Sequence, residues 1–155
     1  MSEMDRLADQ IRRGFEGEAW HGDSVLEVLS GVDAKTAAAH PIRNAHSIWE
    51  LLMHISAWNK GVVRRAGGSP VKLTDEENFP PVRVASEAAW QKTIEAAKQA
   101  NAELVRTVAA FPALRLSEQV PGKSEPYYDF YYMFAGVVQH DLYHAGQIVM
   151  LKKAA

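Results

Sequence analysis

The sequence predicts an all-α fold, a four-helix bundle forming one domain over residues 1–155. Three observations carry that prediction. Four long segments place apolar residues at alternating steps of three and four, the period of a helix with one inward stripe. Strand-like alternation is almost absent. Capping residues and helix breakers stand at the segment ends, and one or two long connections suffice to link four helices.

The first segment runs from about Ser2 to Trp20. Ser2-x-x-Asp5 resembles a capping box, and Leu7, Ile11 and Phe15 line one face. Residues His21 to Ala45 then hold a short extra helix around Val25–Leu29, opened by Ser24-x-x-Glu27 and followed by Gly31. The second long segment runs from about Ser47 to Ala66, between Ser47-x-x-Glu50 and Gly67-Gly68. Its inward stripe is Ile48, Leu51, Leu52, Ile55 and Trp58. Arg64-Arg65 near its end complements the helix dipole. Residues Gly67 to Ser86 are rich in glycine and proline and read as a long crossover loop.

The third segment has the cleanest stripe: Trp90, Ile94, Ala97, Asn101, Leu104, Val108 and Phe111, with Asn101 its one polar member. Ser86 suits its N-cap and Pro112 its stop. The fourth runs from about Tyr127 to Lys153. Ser124 and Pro126 suit its start, and Lys152 and Lys153 the negative end of its dipole. Six aromatics crowd Tyr127 to Phe134 and cover every face of that helix. They either pack in core and loop, line a ligand pocket, or lie under a partner subunit.

Composition removes several functions. The 17 Lys+Arg against 19 Asp+Glu leave a net charge of −2, without the basic footprint of a nucleic-acid or membrane-surface binder. The longest apolar stretch, Phe130–Val138, falls short of the roughly 18 residues a spanning helix needs. The charged N-terminus has no apolar export region, so a cytoplasmic location is expected. The absence of cysteine excludes disulfides, thiolate zinc sites, cysteine-held iron–sulfur clusters and a cysteine nucleophile. Chemistry must come from nitrogen and oxygen groups, and six histidines are the obvious supply.

His140 and His144 stand four apart in the fourth helix, so both imidazoles project from one face. That spacing lets two ring nitrogens reach one metal ion, as in zinc metalloproteases. Those enzymes carry a glutamate where Asp141 stands; the shorter side chain argues against a protease. Met133, Val137, His140, His144 and Leu151, with Ile148 beside them, form the inward stripe. His54, three after Leu51 and four before Trp58, is inward on the second helix. Two facing helices then offer three imidazoles to one point, an open site with positions left for water or substrate. The alternatives are hydrogen-bonded core histidines or a solvated face. His21 stands either at a pocket mouth or as an ordinary loop residue, and His40 and His46 suit surface or capping roles. Asp141 and Gln147 are candidates for supporting the ligands or touching substrate. Trp20, His21, Trp58 and Tyr143 are the candidate substrate contacts.

Three stretches together carry a resemblance. They are Gly17-Glu18-Ala19-Trp20-His21-Gly22, then His46-Ser47-Ile48-Trp49-Glu50-Leu51-Leu52-Met53-His54-Ile55, then His140-Asp141-Leu142-Tyr143-His144-Ala145-Gly146-Gln147. The chain resembles the DinB/YfiT-like superfamily of metal-dependent enzymes. The resemblance implies an up-down-down-up bundle, a divalent metal on His54, His140 and His144, and a homodimer. Similar proteins include thiol S-transferases that use bacillithiol or another low-molecular-weight thiol, thiol-dependent isomerases, and hydrolases. The expectation is therefore a metal-dependent enzyme acting on a small molecule. It is either a transferase with a low-molecular-weight thiol cosubstrate or a hydrolase using metal-bound water. A stress-related module that binds metal or a small ligand without turnover is the alternative. Imidazole ligands do not choose among zinc, nickel, iron and manganese.

Overall fold

A computed structural model describes residues 1–155. It contains seven α-helices, one 3-10 turn and no strand. The helices are α1 (Glu3–Glu16), α2 (Val25–Val28), α3 (Ala34–Ala38), α4 (Ile48–Ala66), α5 (Asp75–Asn78), α6 (Glu87–Ala109) and α7 (Phe130–Ala154); the 3-10 turn is Ala113–Arg115. Reciprocal capping boxes open α1, α2, α4 and α5, each built from a Ser or Thr and an acid three residues later.

Two boundaries differ from expectation, and two short turns were not expected. Helix α1 stops at Glu16 rather than Trp20, because Gly17 (φ 150°) and Glu18 (φ 64°) leave helical space. Ala19 and Gly22 then close a tight turn. Helix α7 starts at Phe130 rather than near Tyr127. Its cap is Asp129, which accepts from the Tyr132 N–H at 2.8 Å, not Ser124 or Pro126. The preceding residues double back instead, with the Val120 N–H donating to Tyr128 O and the Phe130 N–H to Glu118 O. The crossover from Gly67 to Ser86 also carries structure, the single turn α5. A second unexpected turn, α3, is capped by Asp33.

The four long helices pack in a ring, α1 and α4 each lying against both α6 and α7. Two apolar clusters fill it. One takes Phe15 from the end of α1, Ile48 to Ile55 from the start of α4, Trp90 and Ala97 from the start of α6, and Ala145 to Leu151 from the end of α7. The other takes Met4 to Ile11, Val62 and Ala66, Leu104 and Val108, and Phe130 to Val137. Each fully buried Leu, Ile or Phe contributes about 1.5–3 kcal/mol by leaving water. Trp90 is wholly buried and its indole N–H donates to Val32 O at 2.8 Å, which ties the α2–α3 segment to α6.

The predicted stripes are seen with small rotations. On α6, Trp90, Ala97, Asn101, Leu104 and Val108 are all buried. On α1, Met4 and Ala8 are buried and Leu7 moves to the edge. On α4, Trp58 is half-buried and Asn59 takes the fully inward place. The aromatic run divides by chemistry: Phe130 and Phe134 are core, while Tyr127, Tyr131 and Tyr132 are exposed. No helix is long and apolar enough to cross a membrane.

Candidate metal centre

Helices α4 and α7 bring His54, His140 and His144 together. One ligand atom from each lies within 4.8 Å of the others, a group that could hold a metal ion. The contacts run through one type of nitrogen. His140 Nε2 lies 3.0 Å from His54 Nε2 and 3.1 Å from His144 Nε2. His54 and His144 are buried and His140 is half-buried.

The outer nitrogens decide what the inner ones offer. His54 Nδ1 donates to the Asn78 backbone carbonyl at 2.7 Å. His144 Nδ1 donates to Gln147 Oε1 at 2.6 Å. Oxygen of either kind only accepts here, so each ring keeps its hydrogen on Nδ1. Burial pushes all three imidazoles down to about 4, so they are neutral near pH 7. His54 and His144 then each present a bare Nε2 lone pair. At most one hydrogen, that of His140, is available to three converging nitrogens. A cation removes the conflict. Nitrogens at ~2.0–2.1 Å from a tetrahedral ion stand about 3.4 Å apart, close to the observed separations. The donor set fits an imidazole-bound divalent metal, with Asn78 and Gln147 holding two ligand rings in orientation.

Other expected residues fall in different places. Gln147 supports His144 as described. Asp141 is fully buried with neither oxygen hydrogen-bonded, and burial pushes it up to about 8. It stands 3.9 Å from His140 Nδ1, but both groups are uncharged near pH 7 and form no ion pair. Trp58 and Tyr143 border the cluster, their rings 6.1 Å from His140 and 5.1 Å from His144. Trp20 is fully exposed and His21 exposed in the turn after α1, and neither lines the cavities beside the histidines. His40 and His46 both approach Glu50 Oε2 at the start of α4, at 3.1 and 3.6 Å.

Three residues were not anticipated. Asn78 holds His54 by its carbonyl and the Trp58 indole N–H by its side chain, at 2.8 Å. Phe79 stacks on His54 at 4.1 Å and on His46 at 3.7 Å, nearly parallel to both. Both residues belong to α5 and its cap. Thr74-x-x-Glu77 repeats the capping spacing of Ser47-x-x-Glu50 and was the signal for that turn. The third is Arg65, expected only as a partner of the α4 dipole. It is only 3% exposed, because the chain after α4 folds over it and Val71 O accepts from its Nη2 at 2.8 Å.

Two cavities meet the cluster from different sides. One of 730 Å³ is lined by His144, Gln147, His46, Phe79 and Tyr143. One of 500 Å³ is lined by His140, Trp58, Asn59, Arg65, Tyr132 and Tyr143. Both are of the size that holds small molecules.

The family model described as the DinB superfamily matches residues 19–148. Neither the curated proteins nor the solved structures give a match.

Proposed function

Since the chain belongs to the DinB superfamily, we propose that its three histidines form the centre of a metal-dependent enzyme acting on a small molecule. The observation that carries this reading is the convergence of three neutral Nε2 atoms with at most one hydrogen among them. Bound there, a divalent ion would supply a lowered pKa to a thiol or water and polarise an electrophile.

Between the two chemistries, the site favours thiol transfer over hydrolysis. Water attack calls for a general base within reach, and the nearest carboxylate, Asp141, is sealed in the interior. A thiol needs only to lose its proton, and the chain has no cysteine, so sulfur comes from a low-molecular-weight cosubstrate. Two cavities suit two reactants, with His144 and Gln147 on one side and His140 and Trp58 on the other. Tyr143 lines both and offers a hydroxyl to either.

The architecture in this reading is an up-down-down-up four-helix bundle. The apolar clusters support it: the start of α1 shares a cluster with the start of α7 and the ends of α4 and α6. The reading includes a homodimer in the cytoplasm and no nucleic-acid partner. Untagged protein loaded separately with zinc, nickel, iron and manganese, incubated with cysteine or glutathione and 1-chloro-2,4-dinitrobenzene, tests it. Metal-dependent thioether formation, lost in His54→Ala, is expected. Metal binding with no turnover on this pair or on an ester panel would favour a non-catalytic binding module.

A further inference from the structure

The 500 Å³ cavity contains an arrangement that the metal centre does not use. Arg65 lies at one end, 3% exposed, yet its hydrogen bonds go only to neutral oxygens. Nε and Nη2 donate to Val71 O, at 3.3 and 2.8 Å, and Nη1 to the Tyr128 hydroxyl at 3.4 Å. Arg65 forms no ion pair. No carboxylate lines the cavity. A guanidinium has five N–H donors and a charge that burial makes costly without a counter-charge. Beside it Asn59, fully buried, leaves both its amide oxygen and nitrogen unbonded.

The rest of the cavity has a flat, apolar character. Trp58 neighbours both Arg65 and His140: Arg65 Cζ is 5.3 Å from its ring, and its ring is 6.1 Å from that of His140. Guanidinium and imidazole are therefore no further apart than those two lengths laid end to end, which limits how long a molecule must be to touch both. Val62, Met133 and Val137 add apolar wall, and Tyr132 lies at the side. Lys123, 4.5 Å above the Tyr128 ring, adds positive potential near the Arg65 end.

We propose that this groove binds a small organic carboxylate with a flat, apolar body, its acid group on Arg65 and its far end at His140. An Arg–carboxylate pair supplies the missing counter-charge, and the Asn59 amide can donate to the acid. The inference rests on the reading of the cluster as a metal-dependent transferase and names the class of second substrate it takes.

The test is calorimetric titration of zinc-loaded, untagged protein with 2-naphthoate and with 2-naphthamide, which share a body and differ in charge. The naphthoate is expected to bind at least tenfold more tightly. Arg65→Gln brings the ratio close to one. Gly136→Leu covers the case in which Arg65→Gln does not fold. Gly136 lines the groove, a Cβ there meets nothing within 4 Å, and leucine favours a helix. That variant is expected to keep its melting temperature and lose naphthoate binding. Equal binding of the two probes, or a preference that survives in either folded variant, overturns the groove. Zinc content of the same samples separates the two levels. Stoichiometric zinc without a charge preference defeats this inference alone. Absence of zinc binding defeats the metal reading, and with it the claim that the acid is a substrate.

Discussion

Two sets of buried polar groups lie side by side in this molecule, and they are treated differently. His54 and His144 have their outer nitrogens hydrogen-bonded, and cavities lined by His144 and by His140 adjoin the cluster. Asn59, Asn101 and Asp141 are fully buried and their side chains have no hydrogen-bond partner at all. Each lies on its helix between the residues given to the two apolar clusters. Sequence neighbours are split between the sets: His140 belongs to the first and Asp141 to the second. Oriented ligands beside space mark a place built to receive something. Buried, unpartnered amides and acid lower stability, at about 1–3 kcal/mol for each unsatisfied group, and of the three Asn59 also borders the 500 Å³ cavity.

Deleting a ligand should break the first set most severely. His144→Ala is expected to weaken zinc binding by well over 100-fold, since it removes a ligand outright, as measured by competition with a chromophoric chelator. A smaller loss would mean that His144 does not ligate. Gln147→Ala leaves the ligands but frees the His144 ring. Such outer partners are worth about 10–100-fold in metal affinity, and the same competition assay reads it.

The second set should respond in the opposite direction. Asn101→Leu replaces an unpartnered amide with an apolar group of similar size, and a stability gain of about 1–3 kcal/mol is expected from denaturant unfolding. A loss instead would show that the amide is bonded, through water or a shift of Asn59, and would erase the contrast.

Proton linkage touches both sets. The histidines are lowered from 6.5 to about 4, so unfolding takes up protons between those values and stability falls as pH drops from 6.5 to 4. Asp141 is raised from 3.8 to about 8, so unfolding releases its proton and stability falls as pH rises toward 8. Below pH 6.5 three histidines outweigh one acid; above it the acid acts alone. Chelator-treated protein should melt highest a little above pH 6.5. Asp141→Asn should flatten the alkaline side of that curve and steepen the acid side.

The same contrast explains what the sequence made legible. Helical stripes, caps and the inward turn of His54, His140 and His144 follow from side-chain period, which sequence carries directly. The chain ends of helices followed less well, because Gly17 and Asp129 act through backbone conformation and a fold-back. Asn78 was out of reach for a different reason: it holds His54 through a carbonyl, a group every residue has. Arg65 was read only as a partner of the helix dipole; its burial depends on the segment near Val71, which follows no helical pattern. Asn101 was visible as a polar break in its stripe, while its lack of a partner needed the packing of the neighbouring helices.

The central claim is that three neutral imidazoles converge to hold one metal ion. The most direct measurement is the metal content of untagged protein by mass spectrometry, after incubation with zinc and gel filtration, for the parent chain and His54→Ala. The account predicts close to one zinc per parent chain and almost none in the folded variant. No zinc in the parent, or equal zinc in both, would contradict it.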